Sequence, residues 1–240
     1  SSAPRGTLDR SAADAEAAAT PREGCTRAGS LDSIAADPTC VIDHVRDDVM
    51  RDAPRRLTLA LSTEPSETTG GATVLLRLAI TNVASTDTLV VLEAIPSSAA
   101  PRPDWTRIAG MPEVRGGATG LHVPLAVTTL DSRERSVDAT PMAQAGVATP
   151  KLLAVRLRPG AKLTHVASWW ALRIPAPAPI FKDDAGHTMV PKTLPVPLER
   201  GDYVVRVEVP LYGAPAAERT VTARVHVEDG PKSYSPGHSR

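Results

Sequence analysis

Aromatic residues make up only 3% of this chain, with a single Phe. A core of any size must therefore be aliphatic, built from Val, Leu, Ile and Ala. Net charge is also lacking: 27 basic residues meet 27 acidic ones. No long basic stripe stands out, which argues against nucleic acid as the main partner. No apolar run approaches the ~20 residues needed to span a bilayer as a helix, so no membrane span is expected. Gly-x-Ser-x-Gly, the phosphate loop and His-Glu-x-x-His are all missing. The six His are scattered, and a non-catalytic protein without a cofactor is the expectation. Nothing suggests alternating strands and helices, which sets aside a parallel nucleotide-binding sheet.

Proline is plentiful, at 23 residues, and Gly adds 16. Both interrupt long helices and suit short strands joined by turns. Period-two runs confirm that preference. Leu57, Leu59 and Leu61 alternate with Thr58 and Ala60, and Val74, Leu76, Leu78 and Ile80 alternate with Arg77 and Ala79. Leu89 to Leu92 reads as a short buried run, and Leu121 to Thr129 alternates again. Leu153, Val155 and Leu157 lead into the turn Arg158-Pro159-Gly160, followed by a strand over Leu163 to Ile174. Gly201 and Asp202 read as a turn launching the clearest strand, where Tyr203, Val205, Val207 and Val209 face inward and Arg206 and Glu208 face out. A last strand carries Val221, Ala223, Val225 and Val227. Eight to ten strands at this spacing predict an all-β antiparallel sandwich or barrel.

One helix is predicted over residues 38–52. Asp37 would cap it, Pro38 would open it, Val41, Val45 and Val49 would form its stripe, and Pro54 would end it. Cys25 and Cys40, a pair without metal-type spacing, read as a disulfide. Closing a loop of about 15 residues stabilises a fold by about 3 kcal/mol on the chain-entropy argument. Such a bridge favours an extracytoplasmic location, secreted, periplasmic or at the cell surface. A first residue other than Met fits processing after export, or a chain cut downstream of an anchor. The expected organisation is a mobile leader over 1–24, a disulfide loop and capping helix over 25–54, a β-sandwich over 55–228 and a polar tail over 229–240.

Three landmarks together carry a resemblance: Thr81-Asn82 ending a strand, Leu157-Arg158-Pro159-Gly160 before a Trp-bearing strand, and Leu198-Glu199-Arg200-Gly201-Asp202-Tyr203 opening a late one. This resembles the bacterial immunoglobulin-like sandwiches, including the intracellular proteinase-inhibitor-like group. The resemblance implies an immunoglobulin-like β-sandwich over about residues 57–227, with a tyrosine corner in which the Tyr203 hydroxyl holds the preceding turn. The Cys pair, the helix beside it and the long 131–150 segment depart from that pattern.

Candidate functional residues fall into three groups. Trp169 and Trp170 are adjacent on one strand and must face opposite ways. Parity with Val166, Leu172 and Ile174 places Trp170 inside and Trp169 outside, beside His165. An outward Trp169, with His165 and Trp105, would then anchor a protein or glycan, unless a helix or Pro-rich loop covers it. Asp183, Asp184, His187 and Met189 form the most metal-like cluster, with donors for copper or calcium; the alternative is a solvated hairpin turn. His44 and Asp48 sit four apart, as an exposed ion pair or a zinc pair would. The Pro-rich stretch 175–179 reads as a rigid crossover. The functional expectation is a binding or accessory module that meets a macromolecular partner through the loops 96–120, 131–150 and 175–193. Alternatives are a proteinase inhibitor acting through an extended loop and a copper or calcium protein.

Overall fold

The computed structural model describes residues 25–26, 29–45, 53–96, 113–115, 119–137, 149–175, 181–182, 188–189 and 194–230. Among the described residues, two short helices accompany sixteen strands. In chain order these are α1 (Leu31–Ala36), β1 (Val41–Ile42), β2 (Leu57–Glu64), β3 (Glu67–Thr69), β4 (Thr73–Asn82), β5 (Thr88–Pro96), β6 (Glu113–Arg115), β7 (Leu121–Pro124), β8 (Ala126–Leu130), β9 (Lys151–Leu157) and β10 (Lys162–Trp170). Then come β11 (Leu172–Arg173), β12 (Phe181–Lys182), β13 (Thr188–Met189), β14 (Val196–Pro197), β15 (Gly201–Glu208), α2 (Ala216–Arg219) and β16 (Thr220–Glu228).

The three larger sheets run β1-β9-β5-β7-β6, β10-β4-β2 and β3-β16-β15-β8, and all their pairings are antiparallel except β3 with β16. The second and third sheets meet where β16 runs beside β2, with the Thr63 hydroxyl donating to the Arg224 carbonyl at 3.3 Å. Beyond β15 the chain crosses to the first sheet: Glu93 N donates to Pro210 O and Tyr212 N to Val91 O, both at 2.9 Å. The result is an antiparallel-dominated β-sandwich whose sheets share one main core.

That core follows from period two. Val74, Leu76, Leu78 and Ile80 of β4 are buried, while Leu75 and Arg77 between them are exposed. Val205 and Val207 of β15 and Val225 and Val227 of β16 join them, with Val90, Leu92, Leu153, Val155 and Leu157 from β5 and β9. Strands β5 and β9 are buried on both faces at their centres, because Ile42, Val91 and Ala154 form a second cluster on the far side with Tyr212 packed against it. This explains the unbroken apolar run in β5, which an alternating strand would lack.

The turn landmarks all do structural work. Asn82 is fully buried. Its Nδ2 donates to Thr86 O and Leu157 O, each at 2.9 Å, and its Oδ1 accepts from Ala84 N and the Thr88 hydroxyl, each at 3.0 Å. One side chain thereby closes the β4–β5 turn and ties it to the end of β9. Gly160, at φ +73°, turns the chain from β9 to β10. Gly70 meets a different demand, since a Cβ there would lie 2.3 Å from the Leu198 carbonyl oxygen. The tyrosine corner is present: the Tyr203 hydroxyl donates to Glu199 O at 2.9 Å. Strand β15 begins at Gly201, so Gly201 and Asp202 belong to the strand and the turn lies just before them.

Over residues 38–45, the described part of the helix predicted over 38–52, no α-helix forms. Pro38–Cys40 is a single 3₁₀ turn, with Asp37 Oδ1 accepting from Thr39 N as expected of a cap. The chain then extends as β1, because β-branched Val41 and Ile42 find a pairing edge on β9, opposite Leu153 and Leu152. Among the described residues of this region, the α-helix is α1, one step earlier. Ser30 and Ser33 cap it reciprocally, and Leu31, Ile34 and Ala35 are buried. Cys25 and Cys40 are bonded as a disulfide. Residues 46–52, the 1–24 leader and the tail beyond residue 230 lie outside the described residues.

Two substitutions test this framework. Asn82→Ala strands two donors and two acceptors, two of them deeply buried, and should cost about 3 kcal/mol or more in denaturant unfolding. Tyr203→Phe should cost about 1 kcal/mol. Burial pushes the Tyr203 phenol up, and the Glu199 carboxylate adds to this. Its folded value lies above the unfolded one, so stability resting on the neutral phenol is complete below the ordinary Tyr value of about 10 and is lost as pH rises through the folded value. Unfolding followed at alkaline pH should show that loss in the wild type and a smaller one in Tyr203→Phe.

Candidate functional site

The described residues include a cleft of about 540 Å³ beside the β15–β16 pair. Antiparallel pairing sets Asp202 opposite His226, and parallel pairing sets Glu67 of β3 on the other side of His226. A cross-strand row Glu67–His226–Asp202 therefore crosses three strands on one exposed face. His226 Nδ1 lies 2.6 Å from Asp202 Oδ1. One step along, Arg224 pairs in register with Val204 and projects beside this row.

The turn after β8 supplies the other wall, through Asp131, Ser132 and Glu134. Asp131 organises that turn. Its Oδ1 accepts from Arg133 N and Arg135 N at 2.8 and 2.9 Å, and its Oδ2 accepts from the Arg135 guanidinium at 2.7 and 3.0 Å. The backbone N–H of Arg135, and then its guanidinium, hold the Asp131 carboxyl below the usual carboxylate range. Glu134 takes φ +60° and sits at the tip. Among the described residues, Glu67, Glu134 and Arg224 enter no ion pair. The cleft thus offers free carboxylates in excess of free cations on a rigid β platform, with Asp131 already neutralised by Arg135.

A second surface is the outer face of the β10-β4-β2 sheet. Trp170, Val166 and Leu75 are exposed there, and the Arg77–Glu64 ion pair at 2.6 Å sits beside them. This overturns the placement of the two tryptophans. Trp169 is buried at 4% exposure, with its indole Nε1 donating to the Thr129 hydroxyl at 3.3 Å, and Trp170 is the outward one. The misleading signal was the apolar character of Val166, Leu172 and Ile174, which share parity with Trp170 but belong to the less buried set. At Ala171 the chain leaves the β4 ladder, bonding instead to Ala72, Gly71 and Leu198. Within β10, Leu163, His165, Ala167 and Trp169 are the inward set, and Val166 is exposed.

His165 is therefore also inside rather than beside an exposed Trp. It is 5% exposed, and its Nδ1 lies 3.1 Å from Asp32 Oδ2 on α1. With the proton on Nδ1 the ring donates to Asp32, while Nε2 is buried without a partner among the described residues. Trp105, Asp183, Asp184 and His187 lie outside the described residues. Met189 belongs to β13, which pairs with β12 through Phe181↔Met189, so the predicted hairpin pairing is present. His44 is described and exposed, whereas Asp48 is not described. Among the described residues no group of three or more His, Cys, Asp or Glu is arranged to hold a metal ion, and no helix is long and apolar enough to cross a membrane. Asp131, Ser132 and Glu134 open the 131–150 loop expected to meet a partner, whereas the other cleft residues carry no such signal in the sequence. The lining residues come from four separate stretches, 66–67, 131–134, 202–204 and 224–226, and only strand register brings them together.

No protein-family model matches the chain, and no curated protein matches it in sequence. Among solved structures it is similar to a β-glucosidase from Erythrobacter marinus, with 11% identity and a TM-score of 0.30 over 72% of this chain and 15% of that one. An alkylpurine DNA glycosylase from Pseudomonas fluorescens, bound to DNA containing an abasic-site analogue, matches with 15% identity and a TM-score of 0.29, over 72% of this chain and 30% of that one. The CARDB domain of a Pyrococcus furiosus protein in complex with di-metal ions matches with 8% identity and a TM-score of 0.30, over 77% of this chain and 100% of that one. The chain thus spans only 15% and 30% of the two enzymes, and likenesses at this level say nothing about activity or ligand.

Proposed function

We propose that this protein is a non-catalytic, extracytoplasmic binding or accessory module that holds a macromolecular partner, a protein segment bearing basic side chains, in the cleft beside β15 and β16. The observation that carries this reading is the unpaired negative charge of the cleft: Glu67 and Glu134 have no cation of their own. Charge complementarity steers a basic segment toward such a surface and sets its register. The Cys25–Cys40 bridge supports an oxidising compartment. The turn 131–135 opens the 131–150 stretch, and Asp131, Ser132 and Glu134 of that turn line the cleft.

The motifs shared with the proteinase-inhibitor-like sandwiches support the scaffold rather than inhibition. Asn82, Gly160 and Tyr203 spend their polar groups or backbone freedom on holding turns together. They leave nothing to present to a protease.

The test compares wild type with a variant carrying Glu67→Gln, Glu134→Gln and Asp202→Asn. Each is bound to a support and exposed to proteins extracted from the native envelope, and captured proteins are identified by mass spectrometry. A specific protein should be retained by the wild type, released as ionic strength rises, and absent from the variant. Retention by both proteins, or by neither, overturns the proposal.

A further inference from the structure

The strands that border the sheets are mostly covered on their outer side. Strand β9 carries β1 and Cys25 there, β16 carries β3, and Val137 N donates to Thr129 O of β8 at 3.0 Å. Strand β2 runs beside β16. Strand β10 differs. It ends the sheet β10-β4-β2 and pairs with β4 in unbroken register from Lys162↔Thr81 to Trp170↔Thr73. Its outer edge is used where Thr164 N donates to Gly29 O at 3.0 Å. Backbone groups of successive strand residues point to opposite edges, so Val166, Ser168 and Trp170 serve the same edge as Thr164. Among the described residues, no hydrogen bond reaches the backbone N–H or C=O of these three from that side. Open edges template pairing with another chain, and proteins blunt them with charged residues, Pro or a bulge. From Leu163 to Leu172 there is no Asp, Glu, Lys, Arg, Pro or Gly, and the β4 register shows no bulge over β10. The side chains of the open stretch are apolar as well as accessible: Val166 is 48% and Trp170 is 36% exposed, with exposed Ser168 between them.

We propose that β10 is a dimerisation edge: a second copy adds its own β10 antiparallel, about a two-fold axis at Ser168, and the two three-stranded sheets become one continuous sheet. The register follows from the geometry. Under this axis Ser168 faces Ser168 of the partner subunit, Val166 faces the partner's Trp170, and Trp170 faces the partner's Val166. All three residues direct their backbone groups to the open edge, so each pair exchanges both of its N–H···O=C bonds. On the outer face each Trp170 indole then lies beside a Val166 side chain, an aromatic–β-branched pair of the kind that stabilises sheets. The axis also matches the two ends of the open stretch. Thr164, already taken by Gly29, stands opposite the partner's Leu172, and Leu172 has left the β4 ladder to pair with Pro197. Pairing is therefore confined to residues 166–170 on both sides. A second copy is the occupant because this edge is complementary to itself. Such a contact uses up the edge of both subunits, so assembly closes at the dimer. The inference does not depend on the cleft beside β15 and β16.

The experiment measures mass by light scattering across a concentration series for the full chain, for Ser168→Lys, for Ser168→Glu and for an equimolar mixture of the two variants. Hydrogen exchange follows the Val166, Ser168 and Trp170 amides of the wild type. Ser168 is exposed, so both substitutions should leave the sandwich folded, which protected β4 and β15 amides verify. The wild type should pass from monomer to dimer as concentration rises, and the three edge amides should exchange about tenfold more slowly or less in the dimer. Each variant sets like charges opposite one another and should weaken the dimer about tenfold or more. The mixture should restore it, because Lys then faces Glu. A wild type that stays monomeric, or whose mass grows past the dimer, overturns the proposal. So do a dimer with unprotected edge amides, variants that dimerise as well as the wild type, and a mixture no stronger than its components.

Discussion

Asn82 uses every polar atom it has. Its backbone N–H donates to Ala161 O at 3.1 Å and its carbonyl accepts from Gly160 N at 2.9 Å, while the side chain makes four further hydrogen bonds to Ala84, Thr86, Thr88 and Leu157. A buried amide is costly unless all its partners are in place, so this knot is either complete or strongly destabilising. Completing it requires the β4–β5 turn, the end of β9 and the β9–β10 turn to arrive together. Those turns carry the chain between the β10-β4-β2 sheet and the β9–β5 pair, so Asn82 ties the two sheets together where the chain passes from one to the other. The apolar ladders supply most of the driving force, but they are tolerant of small slides; the Asn82 network is not.

Much of this framework was legible from local chemistry. Val74 to Ile80 and Tyr203 to Val207 declare their buried faces through strict alternation, and the Thr81-Asn82 and Leu198-to-Tyr203 turns carry side chains whose hydrogen bonds are made close to home. Where reading failed, the deciding partner lay far away in sequence. Val41 and Ile42 have the spacing of a helical stripe, yet the edge of β9, more than a hundred residues later, converts them to strand. Ser30 and Ser33 carry a capping signal for α1 that the stronger-looking Asp37-Pro38 pair obscured. Trp169 and Trp170 exchange places because the outer face of β10 is itself apolar, with Val166 and Trp170 on it, while the inward set includes the polar His165.

The cleft illustrates a further limit on local reading. Glu67, Glu134, Asp202 and His226 have no motif spacing, and each alone is an ordinary solvated side chain. Register makes the difference: pairing of β3, β16 and β15 aligns Glu67, His226 and Asp202 in one row, and the Asp131–Arg135 turn brings Glu134 alongside. Charge that is scattered along the chain becomes concentrated on one surface. The overall balance of zero conceals it. The Arg135 guanidinium, committed to Asp131 by two hydrogen bonds, is unavailable to neutralise its neighbours.

The long reach of these ties also bears on how the chain acquires its shape. Asn82 and Leu157 are 75 residues apart, and Cys25 and Ala154 are 129 apart. Each contact closes a large loop of chain before it returns any stabilisation. Topologies of this kind have high contact order, and they fold slowly because so much chain entropy is lost ahead of the gain. The β15–β16 hairpin is one local exception, like the β2–β4 pair over residues 57 to 82, with pairing that spans residues 201 to 227. It is the natural early scaffold, against which β8 and β3 dock before the remote halves of the Asn82 knot meet.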